Sequence, residues 1–457
     1  MSKAHCLTRF CMLKNFGKTA EKHPRRLVMT DKDFDMIIPR LGECRIPSPM
    51  STNQFVGDED HVLYHHDLRE IKSSLDSNKE PLRFELGGPR AKIFFDPSKL
   101  KCGIVTCGGL CPGLNDVIRA IVMALFYHYK VSAVFGFRYG YEGLTYRHGH
   151  TPLELNPNRV DNIYKGGGTI LGTSRGPQDV VEMVDTLERM NVGLLFCIGG
   201  DGTLRGAQAI SEEIGRRGIK ISVIGVPKTI DNDISFVDQS FGFETAVSAS
   251  RPAIYSAHNE ATGARNGIGL VKLMGRESGF IAAHAALANN DVNFCMIPEA
   301  RFTLDGFLRV LKERIEKRGH AVILVGEGSG QDLVGLPEER DASGNARFGD
   351  IGIFLRDRIR AYFKEGGIKV DLKYIDPSYM IRSMPANPHD SAFCLLLAHN
   401  AVHAGMTGRT NMLVGFWKGE FTHVPIRMAV SGRKKIDPNG RLWNNVLSCT
   451  GQPREMK

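Results

Sequence analysis

The residues best suited to chemistry sit in short glycine-bearing segments, and together they point to phosphoryl transfer. Gly199-Gly200-Asp201-Gly202-Thr203 places a carboxylate between glycines directly after an apolar run. A turn needs no charge there, whereas a Mg²⁺ ion beside a nucleotide phosphate needs an oxygen ligand. Gly202 leaves room for a bulky donor; an acidic residue in its place would crowd and repel the α-phosphate. Pro227-Lys228-Thr229-Ile230-Asp231-Asn232-Asp233 sets carboxylates two residues apart. One can take a proton from an alcohol while the other helps hold metal. Gly108 to Asp116, GGLCPGLND, joins a strand to a helix and lets backbone approach an anion. It lacks the Lys-Ser/Thr of a Walker A loop and the spacing of a Rossmann fingerprint, so a tight turn is its alternative reading.

A further set is cationic or sugar-directed. Arg175 lies in Gly172-Thr-Ser-Arg-Gly-Pro-Gln-Asp179, Arg276 follows Met274-Gly275, and Glu299 follows Pro298. Arginine forks bind phosphate oxygens bidentately and neutralise charge in a phosphoryl-transfer transition state. Lys373 to Arg382 adds Lys, Tyr379 and Arg382 in one segment suited to a sugar phosphate.

These loops need elements to position them. Cys102–Cys107, Leu194–Ile198, Ile221–Val226, Gly267–Leu273, Phe294–Ile297 and Ala321–Val325 are short apolar runs that read as buried parallel strands. Val117–Leu125 and Arg205–Arg217 carry apolar groups at helical spacing. Strand, glycine turn, helix and strand in repetition predict an α/β protein, with ligands beyond the carboxyl ends of the strands.

With 457 residues, the chain has room for two or three domains. No apolar stretch approaches membrane-spanning length, so no integral membrane protein is expected. The formal charge is +9, but its densest runs (Lys22–Arg26, Arg314–Arg318, Arg433–Lys435) are short and read as solvated surface, not as a nucleic-acid face. Ten cysteines without a C-x-x-C pair read as small buried hydrophobes in a reducing compartment. Cys107 and Cys111, flanking the glycine turn, are candidates for reactivity. Residues 1–95 read as an N-terminal extension, weakly periodic, whose basic first twenty residues are better taken as a solvated arm than as a transit peptide. The C-terminal Arg-Glu-Met-Lys is no peroxisomal signal, which leaves a cytoplasmic location as the expectation.

GGLCPGLND, GTSRGPQD, GGDGT, PKTIDND, KLMGRESGFIAA and YIDPSYMIR, in this order over about residues 96–450, resemble the phosphofructokinases, most closely the plant and trypanosomatid ATP-dependent subgroup. The resemblance implies two Rossmann-like parallel-sheet domains facing across a cleft, after the N-terminal extension. Residues 96–240 plus about 382–430 would hold the phosphate donor, and 241–381 plus the C-terminal tail the sugar phosphate. It implies glycolytic phosphorylation of fructose 6-phosphate by ATP with Mg²⁺. Asp231 matches the general base, Thr229 and Asp233 its neighbours, and Asp201 the Mg²⁺-associated carboxylate with Asp233 near the metal. Gly109 matches the backbone donor to the moving phosphate and Arg175 the arginine that steadies it, with Gly200, Asp201, Gly202 and Thr203 on the nucleotide. Met274, Gly275, Arg276 and Glu299 match sugar contacts, and Tyr379 with Arg382 the 6-phosphate end. A homo-oligomer, dimer or tetramer, is implied as well. Gly267 departs from the pattern, because shorter bacterial members carry a subunit-bridging arginine nine residues before the MGR arginine. Another departure is Tyr379-Met-Ile-Arg382, which replaces their His-Ile-Gln-Arg.

The donor is set by opposing signals. Within the resembled family Gly202 goes with ATP, while Lys228 is a feature of pyrophosphate enzymes. A steric and charge block decides whether a nucleotide enters, whereas a lysine attracts any phosphate, so ATP is expected. An NAD kinase would explain GGDGT but not MGRESG or YIDPSYMIR. A non-catalytic regulatory subunit would be expected to lose Asp201, Asp231 or Arg175, and all are present.

Overall fold

The apolar runs are strands, and each ends where the chemistry-bearing loops begin. In the computed structural model, residues 35–52, 54–335 and 348–457 are described; the first twenty residues and Lys22–Arg26 lie outside them. Met36–Lys457 forms one compact unit. Leu194–Gly199 and Ser222–Pro227 are buried along their whole length, as strands covered on both faces must be.

A nine-stranded sheet has a parallel centre. Met412–Trp417, Ser222–Pro227, Leu194–Gly199, Lys101–Thr106 and Ala133–Phe137 lie side by side in that order, all parallel. Its margins are antiparallel: Leu153–Leu155 pairs with Ala133–Phe137 at one end, and Glu420–Pro425, Arg83–Leu86 and His61–Leu63 continue it at the other. The smaller sheet is wholly parallel, in the order Phe294–Met296, His320–Gly326, Gly267–Leu273, Asp371–Ile375. The helix Phe243–Gly263 follows the loop after the large sheet's strand Ser222–Pro227 and packs on the small sheet, so it ties the two together. Gly267 opens the strand that would have carried the bridging arginine. A Cβ there would lie 2.1 Å from the Ala261 carbonyl oxygen, so the position excludes a side chain for a packing reason.

The segment that reads as an N-terminal extension supplies strands to this sheet, and charge fastens it there. Buried Arg409 donates to Glu85 at 2.7 Å and Asp58 at 2.8 Å. Arg40 reaches the same carboxylates at 3.0 and 2.7 Å, and Arg90 reaches Asp58 at 3.2 Å. Burial opposes ionisation of Glu85, but the hydrogen bond with His423 and the charge of Arg409 outweigh it and hold the carboxyl well below its usual range. Burial lowers His423 to about 4, so at neutral pH its ring is uncharged and meets Glu85 as a hydrogen-bond partner.

Glu85→Ala takes from buried Arg409 its more shielded carboxylate and leaves it only the half-exposed Asp58. The expected loss is about 1.5–3 kcal/mol, read as a lower urea midpoint. Acid should destabilise the fold too. Burial lowers His399 and His423 to about 4 and His403 to about 3, against 6.5 for an unperturbed imidazole. The unfolded chain then binds more protons, so stability is complete above about pH 6.5 and declines toward pH 4. Below the ordinary carboxylate range Glu85 adds to the loss. A melting temperature independent of pH across that window would contradict this.

Candidate active site

The strand Ser222–Pro227 delivers the chain into a turn that its own side chains close. Thr229 Oγ1 accepts from the Asp231 amide at 3.1 Å and donates to Asp233 Oδ1 at 3.2 Å. Asn232 sits at φ 52°, a conformation Asn tolerates better than most residues, and its amide bridges Ser240 and Asp238. Asp233 Oδ2 accepts from Arg433 at 2.9 Å. The loop therefore holds Asp231 with its Oδ1 buried and without a hydrogen-bond partner. Burial first, then the charges of Asp233 and Glu327, push its carboxyl well above the usual range, against the pull of Arg433 and Arg276. A buried carboxylate with a raised pKa and an open acceptor atom is equipped to take a proton.

Opposite lies the glycine turn. Gly113, at φ 95°, caps the helix Leu114–Tyr127, and a Cβ there would meet Cys394 Sγ at 2.6 Å, so both backbone and packing require glycine. Thr173 donates to the Gly108 carbonyl at 2.6 Å, and the Gly108 amide donates to Ser174 at 3.0 Å, which fastens the turn to the loop carrying Arg175. At Gly109 a Cβ would lie 3.4 Å from Arg175 Nη2 and 3.8 Å from Arg382 Nη1. Guanidinium groups from distant segments thus converge on one bare stretch of backbone. Lys228 is buried and donates to the Gly109 carbonyl at 2.5 Å, while its amide donates to Gly199 at 3.0 Å. Burial lowers its pKa.

Gly199 ends its strand and Gly200 starts the helix Asp201–Arg217 with no side-chain cap; Thr203 N–H closes onto the Gly200 carbonyl at 2.9 Å, which leaves the Asp201 and Gly202 N–H groups for another acceptor. Asp201 accepts from Arg205 at 3.1 Å, and Thr203 is buried with its carbonyl bound to Tyr141 at 2.6 Å. A Cβ at Gly202 would meet nothing within 4 Å. Its φ is not positive either, so neither packing nor backbone explains a glycine there.

On the small-sheet side, Gly275 follows the strand Gly267–Leu273 at φ 125° and Met274 packs partly buried against the core. Arg276 lies over the Phe348 ring at 5.0 Å. Glu299 accepts from the Gly279 amide at 3.1 Å and the Ile436 amide at 2.9 Å. Arg276, Glu299, Glu277 and Lys435 help line a cavity of about 560 Å³. Tyr379 is 74% exposed, with Arg382 stacked on its ring at 4.7 Å. Asp231, Thr229, Asp233, Lys228, Gly109, Arg175 and Arg382 are thus drawn together, whereas Tyr379 points outward.

Of the run Arg433–Lys435, expected on the solvated surface, Lys435 is exposed, but Arg433 and Lys434 are a correction. Arg433 binds Asp233 and lies 3.8 Å from Glu277, bridging the turn to the Arg276 loop. Burial disfavours its charge, yet Asp233, Glu277 and Asp201 outweigh burial and raise its pKa, so Asp201 and Asp233 face a common cation. Lys434 is lowered to about 8 by burial and donates to the Val237 and Asp238 carbonyls at 2.7 and 3.0 Å. Glu327 was missed as well; it follows the strand His320–Gly326 beside the site, and burial raises its pKa. One signal for both was available: cations after a glycine, and an acid after an apolar run, as in the other loops. Cys107 and Cys111, the candidates for reactivity, are buried, with Cys107 pushed up to about 12 and Cys111 higher, so their thiols stay protonated.

The phosphofructokinase family model matches residues 101–405, which include all of these loops except Arg433–Lys435. The chain belongs to the phosphofructokinase family. An ATP-dependent 6-phosphofructokinase of Borreliella burgdorferi is 50% identical over 443 residues, covering 93% of this chain and 99% of that protein. One of Trypanosoma brucei brucei is 46% identical, covering 95% and 91%. The plant protein ATP-dependent 6-phosphofructokinase 7 of Arabidopsis thaliana is 45% identical, covering 81% and 77%. Among solved structures, the pyrophosphate-dependent phosphofructokinase of Marinobacter aquaeolei superposes with a TM-score of 0.64 at 18% identity, covering 78% of this chain and 96% of that one. At that identity the phosphofructokinase likeness concerns the fold. No helix among the described residues is long and apolar enough to cross a membrane.

Proposed function

We propose that this protein is an ATP-dependent 6-phosphofructokinase, converting fructose 6-phosphate to fructose 1,6-bisphosphate in glycolysis. The observation that carries the reading is Asp231, buried with an unpartnered oxygen in a loop braced by Thr229 and Asp233, in a chain half identical to a bacterial enzyme of that name. Asp231 accepts the proton of the sugar 1-hydroxyl as that oxygen attacks the terminal phosphorus in line. The bond to the bridging oxygen breaks and ADP carries the electron pair away. Arg175 and the Gly109 backbone sit where the transferred group passes and stabilise its charge. Met274, Gly275, Arg276 and Glu299 orient the sugar, with Arg382 reaching toward the phosphate path. In the same reading, residues 96–240 with 382–430 carry the donor, and 241–381 with the tail carry the sugar.

The carboxylates Asp201 and Asp233 offer hard oxygen ligands of the kind Mg²⁺ takes, and Arg433, the cation they now share, would give way to the ion there. When bound there, Mg²⁺ would supply charge neutralisation on the phosphates. Lys228 braces Gly109 and leaves ATP as the donor, with Gly202 opening onto free space. The protein acts as a cytoplasmic homo-oligomer on small phosphates, not on nucleic acid.

Initial rates with fructose 6-phosphate and Mg²⁺ test this, using ATP in one series and pyrophosphate in the other. ATP-dependent turnover is expected; turnover only with pyrophosphate would overturn the donor, and silence with both would overturn catalysis. The charges around Asp231 give a second check. Glu327→Gln removes a neighbour that raises its pKa, so the acid limb of kcat/KM should move to lower pH. Arg433→Gln removes a cation that lowers it, so the limb should move higher. Shifts in the same direction, or none, would remove Asp231 from that limb.

A further inference from the structure

We propose that Glu142, His148 and His150 form a binding site for a divalent transition metal of the zinc class, separate from the Mg²⁺ carboxylates and set behind the loop that carries Arg175. One ligand atom from each lies within 4.8 Å of the others. His150 Nε2 is 3.8 Å from Glu142 Oε2, and the imidazole rings stack nearly parallel with centroids 5.9 Å apart. Tetrahedral zinc at its usual bond lengths spaces its ligands by about 3.3 Å, so an inward swing of roughly an ångström closes the set. His148 is exposed, so its ring has room to make it.

The donor chemistry selects the metal. Imidazole pairs with a carboxylate favour zinc, nickel or cobalt over the oxygen-seeking Mg²⁺ that the phosphates require. His148 Nε2 lies 3.2 Å from Gln178 Oε1, the kind of outer partner that fixes a ligating ring's tautomer. The nearby cations are already engaged. Arg147 is bound to buried Glu182 and lies 3.7 Å from Asp179, and Arg138 donates to the Tyr139 hydroxyl at 2.9 Å.

Position gives the site a consequence. Glu142 lies in the turn Gly140–Leu144 that follows Tyr139, whose ring lies 4.7 Å from that of His150. Ser174 donates to the Tyr139 carbonyl at 2.6 Å, and a Cβ on Gly172 would meet the Tyr139 ring at 2.7 Å. Metal drawn between Glu142 and the histidines would therefore stiffen the support of the Thr173–Arg175 loop and slow the adjustment of Arg175 to the moving phosphate. Binding is independent of the proposed reaction; only the kinetic consequence rests on it.

The test is Co²⁺ titration of the full chain in excess Mg²⁺, read by the visible ligand-field band. A saturable band is expected in the parent protein. His148→Asn and His150→Asn should each weaken it at least about ten-fold, as losses around metal sites typically do. The same variants should keep Mg²⁺-dependent turnover, which also reports that they fold, and should lose inhibition by added Zn²⁺. A band that never saturates, or one unchanged in both variants, would overturn the site. Normal cobalt binding without zinc inhibition would leave the site standing and overturn its link to Arg175.

Discussion

Asp231→Asn should lower the turnover number by about 10²–10⁴-fold, the usual contribution of a positioned general base, while fructose 6-phosphate still binds. Asparagine keeps the shape of the side chain and an oxygen acceptor but cannot accept the proton. The loop should survive, because its bracing runs through Thr229 Oγ1, the Asp231 amide, Asp233 and Arg433, none of which uses the Asp231 carboxylate. Removing a buried, partly disfavoured carboxylate should if anything raise the melting temperature, since burial works against its ionised form. The measurement is steady-state kinetics with sugar affinity determined in parallel. Near-normal turnover would remove Asp231 from proton transfer; lost sugar binding with unchanged turnover would make it a binding residue.

How far this site was legible depends on how local each contact is. Thr229, Asp231 and Asp233 lie within one turn, so their types and spacing already carried the arrangement. The strands ahead of each loop were legible because full burial demands continuous apolar runs. Arg433 was not, since it reaches Asp233 across 200 residues and its neighbours Lys434 and Lys435 gave it the look of a solvated face. The antiparallel margins of the large sheet escaped for a related reason. His61–Leu63 is largely exposed and carries little apolar pattern, and its segment is fastened by Arg409 far along the chain. Local spacing reveals a reacting group, its immediate brace and the charge of Asp233; the other charges that tune it, Glu327, Arg433 and Arg276, arrive by tertiary return.

Gly202→Asp should reduce kcat/KM for ATP by about 100-fold or more with little change in stability. A glycine can be demanded by backbone conformation, by packing or by a ligand. Gly202 has no positive φ, and a Cβ there meets nothing within 4 Å, so the first two demands are absent. Helix position favours the substitution as well, since a carboxylate in the first turn of Asp201–Arg217 interacts well with the helix dipole. The cost falls on the donor alone. A second carboxylate beside Asp201 meets the α-phosphate as a like charge, and like-charge juxtaposition costs several kcal/mol, where 1.4 kcal/mol is about a factor of ten. Pyrophosphate has no α-phosphate-linked nucleoside to exclude, and Lys228 remains beside Gly109 to attract it. Its use should therefore suffer less than ATP use. The decisive quantity is the ratio of kcat/KM for ATP to that for pyrophosphate, together with the melting temperature. A ratio that falls with the melting temperature held makes Gly202 the donor selector. An unchanged ratio would show that the nucleotide does not pass this residue, and the donor would then have to be set elsewhere on the Gly109 side of the site.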